Sequence, residues 1–247
     1  MRVKLTASLT ACAALALAAI AHAGPIPVAQ YTFATKADVG AFQTGSSGKC
    51  KRKWRRTAAK PKDKKGGGGM GGAMAVTVSS GSGCVLHTSV VADSSDIAPD
   101  QIVNATVSAG RGGSAKLQKR AFEGVVVRQN ESSGYELRVL PMARKWQVLR
   151  DPKGSGPAVL MASGSGKFIR GGTKPNSIAL RAFDFGGTQT SLIAVVNGKN
   201  VVSTTDSAMD QPDGRRNGVT VGVKGSGAGT GVVGVFDQVS IQVPNPF

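Results

Sequence analysis

The chain has 247 residues, with 31 Lys or Arg against 14 Asp or Glu, so its formal net charge at pH 7 is +17. Only 5% of the residues are aromatic, 34 are glycine, and long helical periodicity is absent. This composition excludes a helical bundle and favours short strands joined by glycine-rich turns, while the length suits one large all-β domain.

The first 23 residues have the pattern of a secretory signal peptide. Arg2 and Lys4 supply positive charge, residues 5–20 form an apolar stretch, and Ala21-His22-Ala23 has the small-x-small pattern of a cleavage site. The apolar stretch is short for a membrane-spanning helix. We therefore expect a secreted or extracytoplasmic protein that is not transmembrane. A lipoprotein processed at Cys12 is the alternative. It is the weaker one, because a polar tether usually follows the lipidated cysteine and here an apolar run would follow it.

Two cysteines, Cys50 and Cys84, remain after the predicted cleavage. In an exported protein, two cysteines usually form one disulfide, and we predict that bond here. The alternative is two free buried thiols. In the chain-entropy model, closing this loop stabilises the fold by roughly 3–4 kcal/mol.

Alternating or β-branched segments recur along the chain and predict about a dozen short strands. The first is expected at residues 30–34, and the second begins at residue 54 and resumes at 73–79 after the insertion. The others are expected at residues 84–91, 102–109, 124–128, 135–139, 145–150, 158–162, 167–169, 176–184, 192–196, 201–202, 219–223 and 232–243. Residues 122–150 form the clearest part, in which three consecutive antiparallel strands are predicted. Residues 192–196 are apolar on both faces, so we expect them in the centre of a sheet. The near-regular spacing predicts two packed antiparallel sheets.

Residues 49–65 are strongly basic, with ten Lys or Arg and one acid. The candidate basic patch comprises Lys49, Lys51, Arg52, Lys53, Trp54, Arg55 and Arg56. This patch could contact anionic glycans, nucleic acid or phosphate-rich envelope polymers, with Trp54 stacking on a sugar or base. Residues 59–72 have the composition of a disordered, glycine-rich insertion. The alternative is therefore that the charges bind nothing and only keep this loop solvated and extended. No motif for sequence-specific nucleic-acid recognition is present.

The succession of GVVVR, a polar turn, GYELRV, KWQVLRD, NSIALRAF, AVVNGKNV, GVTVGV and VVGVFDQVSI resembles the concanavalin A-like lectin/glucanase superfamily. Within it, the chain is similar to laminin-G-like modules and to the 3-keto-disaccharide hydrolase domain, over residues 101–243. The chain length predicts that residues 24–247 form a single domain. The resemblance implies that its fold is an antiparallel two-sheet jelly-roll sandwich, often with sugar on its concave face. The predicted function is an exported, non-catalytic module that binds a polysaccharide or an anionic envelope polymer.

The residues that catalysis would need are sparse. The E-x-D-x-x-E motif of the superfamily's glucanases is absent, and the only glutamates are Glu123, Glu131 and Glu136. Glu131 and Glu136 read as solvated charges. His87 is the single histidine after the predicted cleavage, and no G-x-S-x-G motif accompanies it, so a serine triad is unsupported. We expect no catalytic residues, although a hydrolase of the keto-disaccharide type and a structural or adhesion module both remain open.

Six residues combine ring faces with guanidinium or amide donors, which suit a sugar-binding face. They are Arg128, Tyr135, Arg138, Trp146, Arg181 and Asn197. Ordinary packing is the alternative for each, above all for Trp146, which could fill the core.

The one cofactor considered is a structural calcium at Asp237. Strict alternation would place Asp237 on the same face as Val235, Val239 and Ile241, where a carboxylate needs a partner. The alternatives are a β-bulge that turns Asp237 outward, or pairing with an arginine. Zinc is not expected, because there is no Cys/His cluster.

Overall fold

A computed structural model describes residues 25–45, 49–56, 71–88, 100–130, 133–151, 157–185, 188–225 and 228–243. Its strands are β1 (Ile26–Tyr31), β2 (Phe42–Thr44), β3 (Lys49–Arg56), β4 (Gly72–Ser80), β5 (Gly83–Thr88), β6 (Gln101–Ala109), β7 (Ala121–Asn130), β8 (Ser133–Leu140), β9 (Lys145–Asp151), β10 (Val159–Ser165), β11 (Asn176–Phe185), β12 (Gln189–Val196), β13 (Lys199–Asp206), β14 (Arg216–Val223) and β15 (Val233–Val243). Two helices of one turn, α1 (Ala37–Gly40) and α2 (Ala115–Gln118), and a 3-10 turn over Pro141–Ala143 accompany them.

The strands form two antiparallel sheets that pack face to face, which confirms the predicted sandwich. Sheet A has the order β13-β12-β11-β6-β15-β4-β3, and β1 also pairs with β15. Sheet B has the order β10-β9-β8-β7-β14-β5-β2. A continuous apolar core lies between the sheets. No helix among the described residues is long and apolar enough to cross a membrane.

The three consecutive strands predicted in residues 122–150 are β7, β8 and β9, which pair in that order in sheet B. Their alternation sets which side chains reach the core. Val125, Leu137 and Val148 face the interior, and Glu136 and Arg138 face outward. Because successive side chains of a strand point to opposite faces, the alternation along β7, β8 and β9 determines which residues line the core face of sheet B and which line its outer face.

Several predicted strands have different bounds. The first strand begins earlier than predicted and ends at Tyr31, and Phe33 beyond it has a positive φ of 53°. β3 and β4 are two separate strands that pair with each other, so Trp54 lies within β3 and does not begin β4. Residues 167–169 form a turn, closed by a hydrogen bond from the Ile169 N–H to the Gly166 carbonyl.

Two further differences concern strand position. Residues 192–196 belong to β12, which lies one strand from the edge of sheet A, and its burial alternates along its length. In β15, the pairing with β6 shifts register between Phe236 and Gln238. Phe236, Val239 and Ile241 therefore face the core and Asp237 does not. The bulge considered as an alternative is present, and calcium binding at Asp237 stays a prediction.

The predicted disulfide between Cys50 and Cys84 is present, with the two Cα atoms 6.0 Å apart. It joins β3 at the edge of sheet A to β5 in sheet B, so it ties the two sheets together. The predicted signal peptide and residues 59–70 of the predicted insertion lie outside the described residues, whereas Gly71 precedes β4 and Gly72 begins it.

Candidate functional site

The outer face of sheet B carries a groove of about 320 Å³. Its floor crosses the strands β9, β8, β7, β14 and β5, each of which turns alternate residues away from the core. The lining residues are Ser82, Gly83, Cys84, Val85, Phe122, Gln129, Glu136, Arg138, Asp151, Thr220, Val223 and Gly225. The groove therefore combines one aromatic ring and apolar side chains with a small set of polar groups, as ligand sites commonly do.

Glycines in neighbouring strands make room for the ring of Phe122. A Cβ built on Gly222 would lie 2.7 Å from Phe122 Cζ, and one built on Gly83 would lie 3.6 Å from the same atom. The ring thus covers the backbone of both residues, and Phe122 is only 3% exposed. Side chains at these glycines would displace the ring.

Arg138 is held between this ring and a carboxylate. Its Cζ lies 4.2 Å from the centroid of the Phe122 ring, and its Nη2 donates to Glu136 Oε2 at 2.5 Å. The guanidinium plane is therefore fixed by a cation–π contact and a charge-assisted hydrogen bond.

Two polar atoms of this pair lack hydrogen-bond partners. They are Arg138 Nε and Glu136 Oε1, both of which are buried. Buried polar atoms in native proteins are nearly always paired, so each unpaired one needs an explanation. Both atoms are enclosed, so the groove presents the other, partly exposed atoms of the Arg138 side chain, which is 21% exposed.

Asp151 lies diagonally across from Glu136 on the neighbouring strand, since Glu136 is opposite Leu149 and both Asp151 and Glu136 face outward. Burial, together with the negative charge of Glu136, raises the pKa of Asp151 to about 6, and Arg138 opposes this shift. Two carboxyl groups with different environments therefore share one groove.

Among the six predicted ligand residues, Arg138 lines the groove. Arg128 and Tyr135 are instead buried between the sheets. Arg128 donates to Thr190 Oγ1 at 2.8 Å and to Asp184 Oδ1 at 2.6 Å, across to sheet A. The Tyr135 hydroxyl donates to Asp206 Oδ2 at 2.8 Å. Both side chains therefore link the two sheets and do not face the groove.

The other three predicted residues are also spread over the molecule. Trp146 packs into the core against Gly164, which is the alternative considered for it. Arg181 lies on the outer face of sheet A, in β11. Asn197 has a φ of 50° in the turn between β12 and β13 and donates through Nδ2 to the Phe168 carbonyl. Arg181 and Asn197 lie far from Arg138 in the fold, whereas Trp146 is on the strand next to it, with its ring in the core.

The predicted basic patch forms the edge strand β3, in sheet A. Cys50 and Trp54 pack against the core, and the Trp54 indole N–H donates to the Phe33 carbonyl at 2.8 Å. By alternation, Lys51, Lys53 and Arg55 face away from the interior, and all three are exposed. Trp54 is thus half-buried and serves as a packing residue, whereas the cations remain available to an outside partner.

His87 is buried on the outer face of sheet B, beside the position of Gly45. Burial, together with the positive charge of Arg216, lowers its pKa to about 4. Within the described part of the chain, no group of three or more His, Cys, Asp or Glu is placed to hold a metal ion.

Phe122, Glu136 and Asp151 line the groove, although the sequence did not predict them there. Glu136 was expected to be a solvated charge and is instead 3% exposed; its alternation with Tyr135 and Leu137 does place it on the face of Arg138. The position of Phe122 was not predictable, since it depends on pairing with Gly222 of β14.

No protein-family model and no characterised relative matches the sequence. The structure is similar to an endo-1,3-beta-glucanase from Streptomyces sioyaensis, with a TM-score of 0.52, 11% identity, and coverage of 91% of this chain and 98% of the glucanase. It is also similar to a protein of unknown function with a galectin-like fold from Bacillus subtilis, with a TM-score of 0.51, 9% identity, and coverage of 90% and 99%. The fold is a jelly-roll sandwich of the concanavalin A-like type, as the sequence resemblance implied.

Proposed function

We propose that this protein is an exported, non-catalytic module that binds a carbohydrate in the groove of sheet B. The observation that carries the proposal is the Arg138 side chain in the groove, which is 21% exposed and is held in place by Glu136 and by the Phe122 ring. Sugar hydroxyl groups accept hydrogen bonds, and a fixed guanidinium donates them.

The finer proposal is that the glycan is acidic. The chain's strong excess of positive charge favours anionic partners, because like charge repels and opposite charge steers association. The groove itself has two carboxyl groups and one guanidinium, so the acidic group of such a ligand must be recognised outside the groove floor.

A second candidate function is glycoside cleavage, which the placement of Glu136 and Asp151 favours. Glu136 is paired with Arg138, and the pKa of Asp151 is raised to about 6. Asp151 could therefore act as a general acid while Glu136 stays an ionised carboxylate, as glycoside cleavage requires. Turnover that is lost in both Glu136→Gln and Asp151→Asn, with binding retained, would establish this alternative.

A third candidate is docking to an anionic cell envelope through β3, whose Lys51, Lys53 and Arg55 are exposed and form no ion pair with described residues. An extracytoplasmic location is consistent with the Cys50–Cys84 disulfide, since such bonds persist in oxidising compartments. Retention on isolated envelopes, lost on replacing these three cations, would support docking.

The experiment that tests carbohydrate binding is a glycan array followed by calorimetry on each glycan that binds. Glu136→Gln and Arg138→Gln should each weaken binding about tenfold or more, while Arg181→Gln, on the other sheet, should leave it unchanged. Thermal melting of each variant checks that the fold persists. An array on which the wild-type protein binds no glycan would reject the proposal.

A further inference from the structure

A second pocket, of about 240 Å³, adjoins the groove on the same face of sheet B. Its lining residues are Leu140, Lys145, Trp146, Gln147, Ser163, Gly164, Ser165 and Lys224. It meets the groove at two places. Gln147 pairs with Arg138 across β8 and β9, and Lys224 lies between Val223 and Gly225, which both line the groove.

The charge of this pocket is opposite to that of the groove floor. Its lining has two lysines and no carboxylate, and both Lys145 and Lys224 are exposed. Neither lysine forms an ion pair with a described residue. Both ammonium groups are therefore available to an anion, and the hydroxyl groups of Ser163 and Ser165 add neutral donors.

The backbone around these lysines is fixed by packing and hydrogen bonds. The Arg120 guanidinium donates to the Lys224 carbonyl, at 2.8 Å from Nε, which holds this segment and adds a third positive charge nearby. Trp146 packs against Gly164, where a Cβ would lie 2.7 Å from the indole. β9 and β10 therefore stay close together beneath the pocket.

We propose that this pocket is a subsite for an anionic substituent of the glycan, a carboxylate or a sulfate ester. The uncharged part of the sugar lies in the groove, so the inference rests on the proposed function and names the class of ligand more narrowly. The two lysines neutralise the substituent at the rim, outside the groove floor that holds Glu136 and Asp151.

The rival site for the anion is β3, and the fold separates it from the groove. β3 belongs to sheet A, and its side chains alternate between the core, which Cys50 and Trp54 reach, and the outer face of that sheet. Lys51 and Lys53 therefore point away from sheet B, so one sugar cannot contact both surfaces. Two double variants with the same change in charge distinguish the sites.

The test measures affinities for two matched pairs of probes: cellohexaose with sulfated cellohexaose, and hexagalacturonate with its methyl ester. The wild-type protein should bind the anionic member of at least one pair about tenfold more tightly, because charge-assisted hydrogen bonds are the stronger kind. Lys145→Gln with Lys224→Gln should abolish this preference and leave the neutral members unaffected. Lys51→Gln with Lys53→Gln should retain it. The sulfate and carboxylate pairs show which substituent the pocket prefers.

The proposal is overturned if the wild type prefers no anionic member, if both double variants lose the preference equally, or if only the β3 variant loses it. In each of these cases, carbohydrate binding in the groove would still be supported if the neutral probes bind the wild type and bind Glu136→Gln more weakly. Failure of every probe to bind the wild type would instead reject carbohydrate binding itself. Both pairs of lysines are exposed, so the variants should melt as the wild type does.

Discussion

Glu123 of β7 and Gly234 of β15 face each other across the interior of the sandwich. A Cβ built on Gly234 would lie 2.9 Å from Glu123 Cγ and 2.6 Å from Val221 Cγ2. Glu123 is fully buried, and neither carboxyl oxygen has a hydrogen-bond partner. Because Gly234 has no side chain, the Glu123 side chain has room to lie between the two apolar sheets.

Gly234→Ala should destabilise the protein, because the new methyl group overlaps two side chains that the core holds in place. Overpacking of this kind costs roughly 1–3 kcal/mol, which urea denaturation would measure. Gly40→Ala is the matched control, since a Cβ at Gly40 meets nothing within 4 Å. That variant should be neutral or slightly stabilised. Equal midpoints for Gly234→Ala and the wild type would contradict the packing described here.

The buried Glu123 should make stability depend on pH. Burial, only partly opposed by the residue's own backbone N–H, raises its pKa from 4.5 to about 8. The unfolded chain loses this proton at a lower pH than the folded protein does. The free energy of unfolding is therefore highest below pH 4.5 and falls as the pH rises to about 8. The titration of Glu123 contributes a slope of up to about 1.4 kcal/mol per pH unit in this range.

Glu123→Gln removes the titrating group and keeps the shape of the side chain. Denaturation of both proteins between pH 5 and 8 should give a flatter pH profile for the variant. Glu123→Met, which also removes the unpaired polar atoms, should be more stable than the wild type at pH 8. Parallel profiles for Glu123→Gln and the wild type would show that this carboxyl group does not titrate differently on folding.

Arg128 should matter for stability and not for ligand binding. It is 2% exposed and bonds Thr190 and Asp184 in the opposite sheet. Arg128→Ala leaves these partners without their donor, so we expect a loss of about 2–3 kcal/mol. This is less than for a fully enclosed pair, since Asp184 is 39% exposed. Arg55→Ala, on the surface of β3, should change stability by less than about 0.5 kcal/mol.

The same variant tests the ligand role that the sequence predicted for Arg128. Calorimetry at a temperature where Arg128→Ala is folded should give the wild-type affinity for any glycan that binds. Unchanged stability with abolished binding would support the ligand role and contradict the structural one.

Local alternation predicted much of the fold, because it needs no knowledge of the pairing between distant strands. The strands β7, β8 and β9 follow from their period of two, and so does the outward direction of Arg138. The same period excludes Tyr135 from the face of Arg138, since the two are three residues apart on one strand. Grouping them as one ligand set was an error that the sequence alone could have corrected.

Features that depend on long-range pairing were not predictable. Arg128 has a φ of 51°, at a register shift in the pairing of β7 with β8, and no local pattern marks this irregularity. Asp151 lies one residue beyond the strand predicted at 145–150, although it ends β9 and lines the groove. The groove also depends on Gly222 of β14 lying beside Phe122 of β7, and these two residues are about a hundred positions apart in the sequence.

Asp151 should control how pH affects the binding of anionic ligands. Its pKa of about 6 means that it gains a negative charge between pH 5 and 7, next to Glu136. That charge repels an anionic sugar, and it is lost when the pH falls through 6. Affinity for sulfated cellohexaose should therefore rise several-fold, up to about tenfold, between pH 7.5 and pH 5. The sulfate ester stays ionised over this range, so the change belongs to the protein.

Asp151→Asn should bind this probe at pH 7.5 as tightly as the wild type does at pH 5, with little dependence on pH. Cellohexaose is the control ligand, since a neutral sugar experiences no repulsion from Asp151. His87 does not account for the effect, because its pKa is lowered to about 4. An unchanged pH dependence in Asp151→Asn would assign the titration to another group and remove Asp151 from the charge balance of the groove.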